Sequence, residues 1–268
     1  MPASATIKLS SPATREFWEI PVLFEDEHLL ALNKPPLLLT SPNRDDPNGV
    51  SLMRLLHEGI AAGKPWATER GLTYLMCAHR LDREASGVLL LAKSKAVLVA
   101  LVNLLNSELP LRACVVLVAG APAADAFEVS APIGPHPLHP GRMCVDPERG
   151  KRARTRFEVV EKFARHTLLR CHPLTDRPHQ VRVHIRKSGL RLAGDRLYDG
   201  HPLWLSKLKP TYTLKPNQEE RPLISDAAIH AERLEFKHPL TGATVVIEAP
   251  WPKDLNVAVK YLRRYTPA

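Results

Sequence analysis

No stretch of this chain holds the roughly 18 to 20 consecutive apolar residues that a membrane helix needs. Its opening, MPASATIKLSSPATREFW, also lacks the compact apolar block of a secretory signal. Those two absences predict a globular protein of the cytoplasm. The cysteines, Cys77, Cys114, Cys144 and Cys171, are scattered, with no CxxC pair and no Cys/His ligand spacing. The pattern therefore suggests neither a disulfide framework nor a structural zinc site, and free thiols are expected. Internal repeats and low-complexity linkers are missing too. Acidic residues are the scarcer charge, 28 against 37 Lys and Arg, which leaves a net charge of +9. That surplus favours an acidic partner through counterion release, and nucleic acid is the commonest such partner.

What is present suits a full hydrophobic core: 268 residues, 44% of them hydrophobic, are enough for one large domain or two small ones. IPVLFEDEHLLALNKP reads as a hairpin around the polar turn Glu25 to His28, ended by Pro35 and Pro36. SLMRLLHEGIAAG places Leu52, Leu55, Leu56 and Ile60 on one helical face, with Ser51 as N-cap and Gly63 or Pro65 as the stop. A second helix starts at Ser94. ACVVLVAG, TRFEVVEKF and HTLLRCHPL read as strands, RLEFKHPLTGATVVIEAP as a hairpin turning at Leu240 to Gly242, and VAVKYLRRY as a helix. Helices and strands mix without regular βαβ alternation. The expected fold is α+β, a mixed and mainly antiparallel sheet with helices packed on it.

Two segments concentrate polar residues. HRLDREASG, from His79, sets charges directly before the apolar run Val88 to Ala92; taken alone, they suit a solvated loop as well as a site. PLTDRPHQVRVHIRKSG, from Pro173, has proline where a first helical turn tolerates it and Gly189 where a C-cap wants glycine. It reads as a short helix from His179 to Ser188 that stacks His179, Arg182 and Arg186 on one face, although Val181, Val183 and Ile185 also alternate as in a strand. Basic residues gather in two stripes, Arg142, Arg149, Lys151, Arg152, Arg154 and Arg156, then Arg177, Arg182, Arg186, Lys187 and Arg191. Such stripes suit a phosphate track.

HRLDREASG resembles the HRLDxxTSG signature of the pseudouridine synthases that act on large-subunit ribosomal RNA and transfer RNA. LNKPPLLLTSP is similar to the early NKP segment of that family, GKRARTRFEVVE to its GKxAxT strand and PLTDRPHQVRVH to its TGRTHQIRVH block. LAGDRLY resembles its GDxxY segment, and IHAERLEFKHPLTG, from Ile229, its closing HAxxLxFxHP element. The segments keep the family's order over roughly residues 20 to 255. The resemblance implies a catalytic domain over 20–255, a short N-terminal extension over 1–19 without the small RNA-binding module of some relatives, and a helical tail over 256–268.

The resemblance further implies isomerisation of a uridine in structured ribosomal or transfer RNA, by a monomer that needs no cofactor or metal. The N1–C1′ bond breaks, the uracil turns, and the ring rejoins through C5. Asp82 would attack C1′ or assist glycal formation, ionised in either case. Arg182 would hold that carboxylate, and Arg80 would enter the RNA stack where the nucleotide leaves or hold its phosphate. His79, His179, Gln180, Tyr198 and Ile229 fall in the motifs expected to line the substrate. The chain departs from the family at Ala85, Asp176 and Pro178, and in the strand RACVVLVAG, where Cys114 stands in place of a tyrosine that packs on the uracil. A non-catalytic RNA-binding protein on the same scaffold is the alternative. A hydrolase using Asp82 with His79 or His179 lacks matched spacing of nucleophile and base.

Overall fold

The computed structural model describes residues 5–42, 49–107, 111–214 and 217–268. In chain order the elements are β1 (Thr6–Ser11), β2 (Glu16–Glu25), β3 (Leu29–Lys34), α1 (Leu52–Ala61), α2 (Pro65–Thr68), β4 (Met76–Cys77), β5 (Ser86–Ala92), α3 (Lys95–Ser107), β6 (Leu111–Ala119) and β7 (Ala126–Ser130). There follow β8 (Ile133–Pro135), β9 (Met143–Val145), β10 (Arg154–Lys162), β11 (His166–Pro173), α4 (Gln180–Lys187), β12 (Arg191–Leu192), a 3-10 turn (Arg196–Tyr198), α5 (Leu205–Leu208), β13 (Ile229–Lys237), β14 (Thr244–Glu248) and α6 (Lys253–Tyr265). None of the helices among the described residues is long and apolar enough to cross a membrane. The chain divides into two compact units, one of residues 1–112 with 231–250 and the other of 113–230 with 251–268.

The first unit is a sheet in the order β1-β2-β3-β5-β13, with β4 on β5 and β14 on β13. Its β1–β2, β2–β3, β3–β5 and β13–β14 pairs are antiparallel, and the β2–β3 and β13–β14 hairpins are the two that the sequence predicts. The β2–β3 hairpin turns where Asp26 Oδ1 accepts from the N–H groups of His28 (2.8 Å) and Leu29 (2.7 Å). That is the local hydrogen bonding that makes aspartate a turn former. Both faces are covered. Leu30, Leu32, Leu89 and Leu91 pack with Leu52, Leu56 and Trp66 of α1 and α2, while Leu29, Ala31, Val88 and Leu90 pack with Val97 and Leu101 of α3. Burial on two faces explains why β3 and β5 read as continuous apolar runs rather than alternating ones. Ser51 caps α1 as expected, its Oγ accepting from Arg54 N at 3.4 Å. The N-terminal extension contributes a strand that sequence reading missed: β1 buries Ile7, Leu9 and Ser11 and exposes the residues between.

The second unit orders its strands β6-β11-β10-β7, with β12 on β6 and a separate β8–β9 ribbon. Its pairs are antiparallel as well. Val115, Leu117 and Leu168 meet Ala258, Val259 and Leu262 of α6 in one core. Residues one place along each strand point to the opposite face. There a row runs straight across the sheet, Cys114 opposite Cys171, Cys171 opposite Phe157, and Phe157 opposite Phe127, and α4 is tied to this face through Thr155.

Candidate active site

In the first unit residues 79–85 of the HRLDREASG segment lie in the connection from β4 to β5, and side chains hold the backbone there. His79 Nε2 accepts from Leu90 N at 3.1 Å. Thr40, 1% exposed, donates through Oγ1 to Leu81 O (2.9 Å) and accepts from Leu81 N (3.2 Å). Beyond Asp82, a turn closes with Ala85 N on Asp82 O at 3.1 Å. Gly87 follows at φ +110°, where a Cβ would lie 2.2 Å from Ala231 O, so only glycine lets β5 leave the turn at this point. Asp82 and His79 are half-buried, and Arg80 is exposed.

Lys34, in the NKP segment, is fully buried. Its ammonium donates to Leu38 O (2.6 Å), Pro35 O (2.8 Å) and Arg83 O (3.4 Å). Burial pushes its pKa down to about 7; the charges of Asp82 and Glu84 oppose the fall and that of Arg83 adds to it. Between about pH 7 and the ordinary lysine value of 10.5 the unfolded chain keeps a proton that the folded chain releases. Stability therefore rises with pH across that window and is flat in this group below it. The slope contributed approaches about 1.4 kcal/mol per pH unit at mid-window. Denaturant titrations of the wild type and Lys34→Met from pH 6 to 10 check this, the variant lacking the rise.

In the second unit α4 carries the other predicted residues. His179 is its N-cap, in the left-handed region at φ 55°, and His179 Nδ1 bonds Tyr198 OH at 2.8 Å. Arg182 is buried, with Nε and Nη2 on the two oxygens of Asp195 at 2.8 and 2.7 Å, a bidentate pair. Arg186, predicted to share its face, is exposed and bonds Asp199 at 2.8 Å. The helix thus matches arginines four apart to aspartates four apart, one pair buried and one in solvent. Gly194, at φ +75°, makes the turn before Asp195, where a Cβ would meet Asp226 O at 2.2 Å.

Gln180 and Tyr198, read from the sequence as substrate contacts, are 4% and 2% exposed. The Gln180 amide donates to Arg154 O and Thr155 Oγ1 and accepts from Thr175 Oγ1, so it anchors α4 to β10. The Tyr198 ring has the guanidinium carbons of Arg182 and Arg142 at 5.0 and 5.2 Å, and its hydroxyl accepts from Met143 N. Those contacts tie Tyr198 to α4 and β9. Cys114 is half-buried on β6, and Ile229 opens β13 at 8% exposure.

His184 was missed. It is fully buried between Thr155 Oγ1 and Ala131 O, which suits a neutral ring, and burial lowers its pKa. The basic stripes are thinner than the sequence suggests. Arg154 and Arg156 both bind Glu128, and Arg142, Arg186 and Arg191 gather on Asp199, whereas Arg149, Lys151 and Arg152 stand exposed.

The family model described as RNA pseudouridylate synthase matches residues 28–187, a span that holds the Asp82 loop and ends with α4. The chain belongs to the RNA pseudouridylate synthase family. It is 35% identical over 242 residues to ribosomal large subunit pseudouridine synthase D of Nitrosomonas europaea, covering 90% of this chain and 65% of that protein. It is 34% identical over 248 residues to ribosomal large subunit pseudouridine synthase C of Escherichia coli K12, covering 90% and 70%. The chain thus spans about two thirds of the length of these relatives. Human RNA pseudouridylate synthase domain containing 4 shares the fold, with a TM-score of 0.64 at 20% identity over 90% of this chain and 92% of that one.

Proposed function

We propose that this protein isomerises a uridine of large-subunit ribosomal RNA to pseudouridine, with Asp82 as the reacting carboxylate. The observation that carries the reading is the seating of Asp82. A half-buried carboxylate stands on a loop whose backbone is fixed on both sides by buried Thr40 and Lys34. A loop with no task beyond connection does not need such support. The choice of ribosomal RNA is supported by the relatives, which are named ribosomal large subunit pseudouridine synthases.

The chemistry asks little else of the protein. In the covalent route the Asp82 carboxylate bonds to C1′ as the N1–C1′ bond breaks, the freed uracil turns, C5 bonds to C1′ as the Asp82–C1′ bond breaks and the carboxylate is restored, and the C5 proton leaves while N1 gains one. Nothing is oxidised, reduced or hydrolysed, so no cofactor is required. Extruding the nucleotide from structured RNA costs a few kcal/mol, which phosphate contacts offset. Exposed Arg80, Arg149, Lys151 and Arg152 are the candidates for those contacts.

Because the C5 proton must leave, RNA carrying tritium at uridine C5 reports turnover directly. Large-subunit ribosomal RNA from cells lacking the protein is expected to release tritium and to gain one new pseudouridine. Release from transfer RNA alone would overturn the substrate class, and release from neither would overturn the activity.

A further inference from the structure

We infer that Thr40 is a positioning residue for the reaction, fixing Asp82 through both peptide groups of the residue before it. The inference rests on the reading of Asp82 as the reacting carboxylate. Leu81 lies outside every strand, so neither its N–H nor its C=O has a sheet partner. Both are met instead by one atom, Thr40 Oγ1, which gives its single proton to Leu81 O and takes one from Leu81 N. A buried hydroxyl is satisfied by either bond alone. Making both to one residue, 41 positions away, fixes the orientation of the peptide planes that flank Leu81 and hence the direction in which the chain enters Asp82.

Thr40 is itself anchored. Its carbonyl accepts from Met53 N at 3.0 Å, and the neighbouring Leu39 O accepts from Leu52 N at 2.8 Å, so its backbone is tied to the first turn of α1. α1 in turn is seated in the core by Leu52, Leu55 and Leu56. The support therefore runs from a packed helix through one hydroxyl to the loop. On the far side of Asp82, Lys34 reaches Arg83 O from the same NKPPLLLT segment. Two buried polar side chains from one segment, Lys34 and Thr40, thus bracket the aspartate. A displacement of about 1 Å at a reacting group is enough to cost about a hundredfold in rate, so such a bracket has catalytic value without touching RNA.

Thr40→Val keeps the shape and removes both bonds. Expected is a 10- to 100-fold fall in single-turnover tritium release, with RNA affinity within twofold, and recovery of most of the rate in Thr40→Ser, which keeps the hydroxyl and loses the methyl group. A merely structural threonine would lower the melting temperature of both variants without separating their rates. Wild-type rate in Thr40→Val, or equal slowness in the serine variant, overturns the inference. Should the valine variant fail to fold, Thr40→Ala against Thr40→Ser makes the same comparison. Asp82→Asn run alongside separates the two claims. If it is inert while Thr40→Val is fully active, only the positioning role falls; if it is active, the reading of Asp82 falls.

Discussion

Asp82→Asn is expected to abolish isomerisation while leaving the fold and RNA affinity close to those of the wild type. The amide has the size and planarity of the carboxylate, and the supports of the loop, Thr40 on Leu81 and Lys34 on Arg83 O, do not involve the side chain that changes. What is lost is the charged lone pair that attacks C1′ in a covalent route or takes the C2′ proton in a glycal route. Removing the nucleophile from an enzyme that depends on one costs at least about a thousandfold. Tritium release above that floor would show that another group reacts. The same variant carries an internal control. Asp82 is the foremost charge holding up the Lys34 pKa, so its neutralisation lets that pKa fall below about 7. The pH window of rising stability then opens at lower pH than in the wild type, and the denaturant titrations that test Lys34→Met detect it.

The parts legible in the sequence were those set by local rules. Leu29 to Leu32 and Val88 to Ala92 announced strands because both faces are covered, and Pro178 with Gly189 bounded α4 to within a residue. The antiparallel hairpins followed from short polar turns between apolar-rich runs. Contacts between distant segments left no such trace. Nothing in NKPPLLLT says that Lys34 is buried or that Thr40 meets a residue 41 positions later. That depends on β3 and β5 lying side by side in the sheet. The basic stripes misled for the same reason: Glu128, which binds Arg154 and Arg156, precedes them by 26 and 28 residues and faces them only because β7 pairs with β10. Helical periodicity placed Arg182 and Arg186 on one face correctly. It could not say that one end of that face is dry, because the aspartates that receive them sit on the chain beyond Gly194.

That dry end makes Arg182→Ala the substitution with the largest expected loss of stability. The side chains of Arg182 and Asp195 are each 1% exposed and share two charge-assisted bonds at 2.8 and 2.7 Å. In water both ions would be solvated, so the pair itself adds little net stability. Breaking it is different, because the carboxylate left behind has neither solvent nor partner, and the cost is about 3 to 5 kcal/mol. The Arg182 guanidinium also lies 5.0 Å from the Tyr198 ring, and its removal opens a void beside that buried side chain. At about 2 to 4 °C per kcal/mol for a chain of this order of size, the melting temperature should drop by roughly 6 to 20 °C. Replacing both partners with apolar residues, as in Arg182→Met with Asp195→Leu, removes the stranded charge and should recover part of the loss. The double-mutant cycle isolates the coupling. A coupling energy under about 1 kcal/mol, the range of exposed pairs, would mean that water reaches Asp195 in solution, and the ordering of Tyr198 and His179 beside it would then need another source.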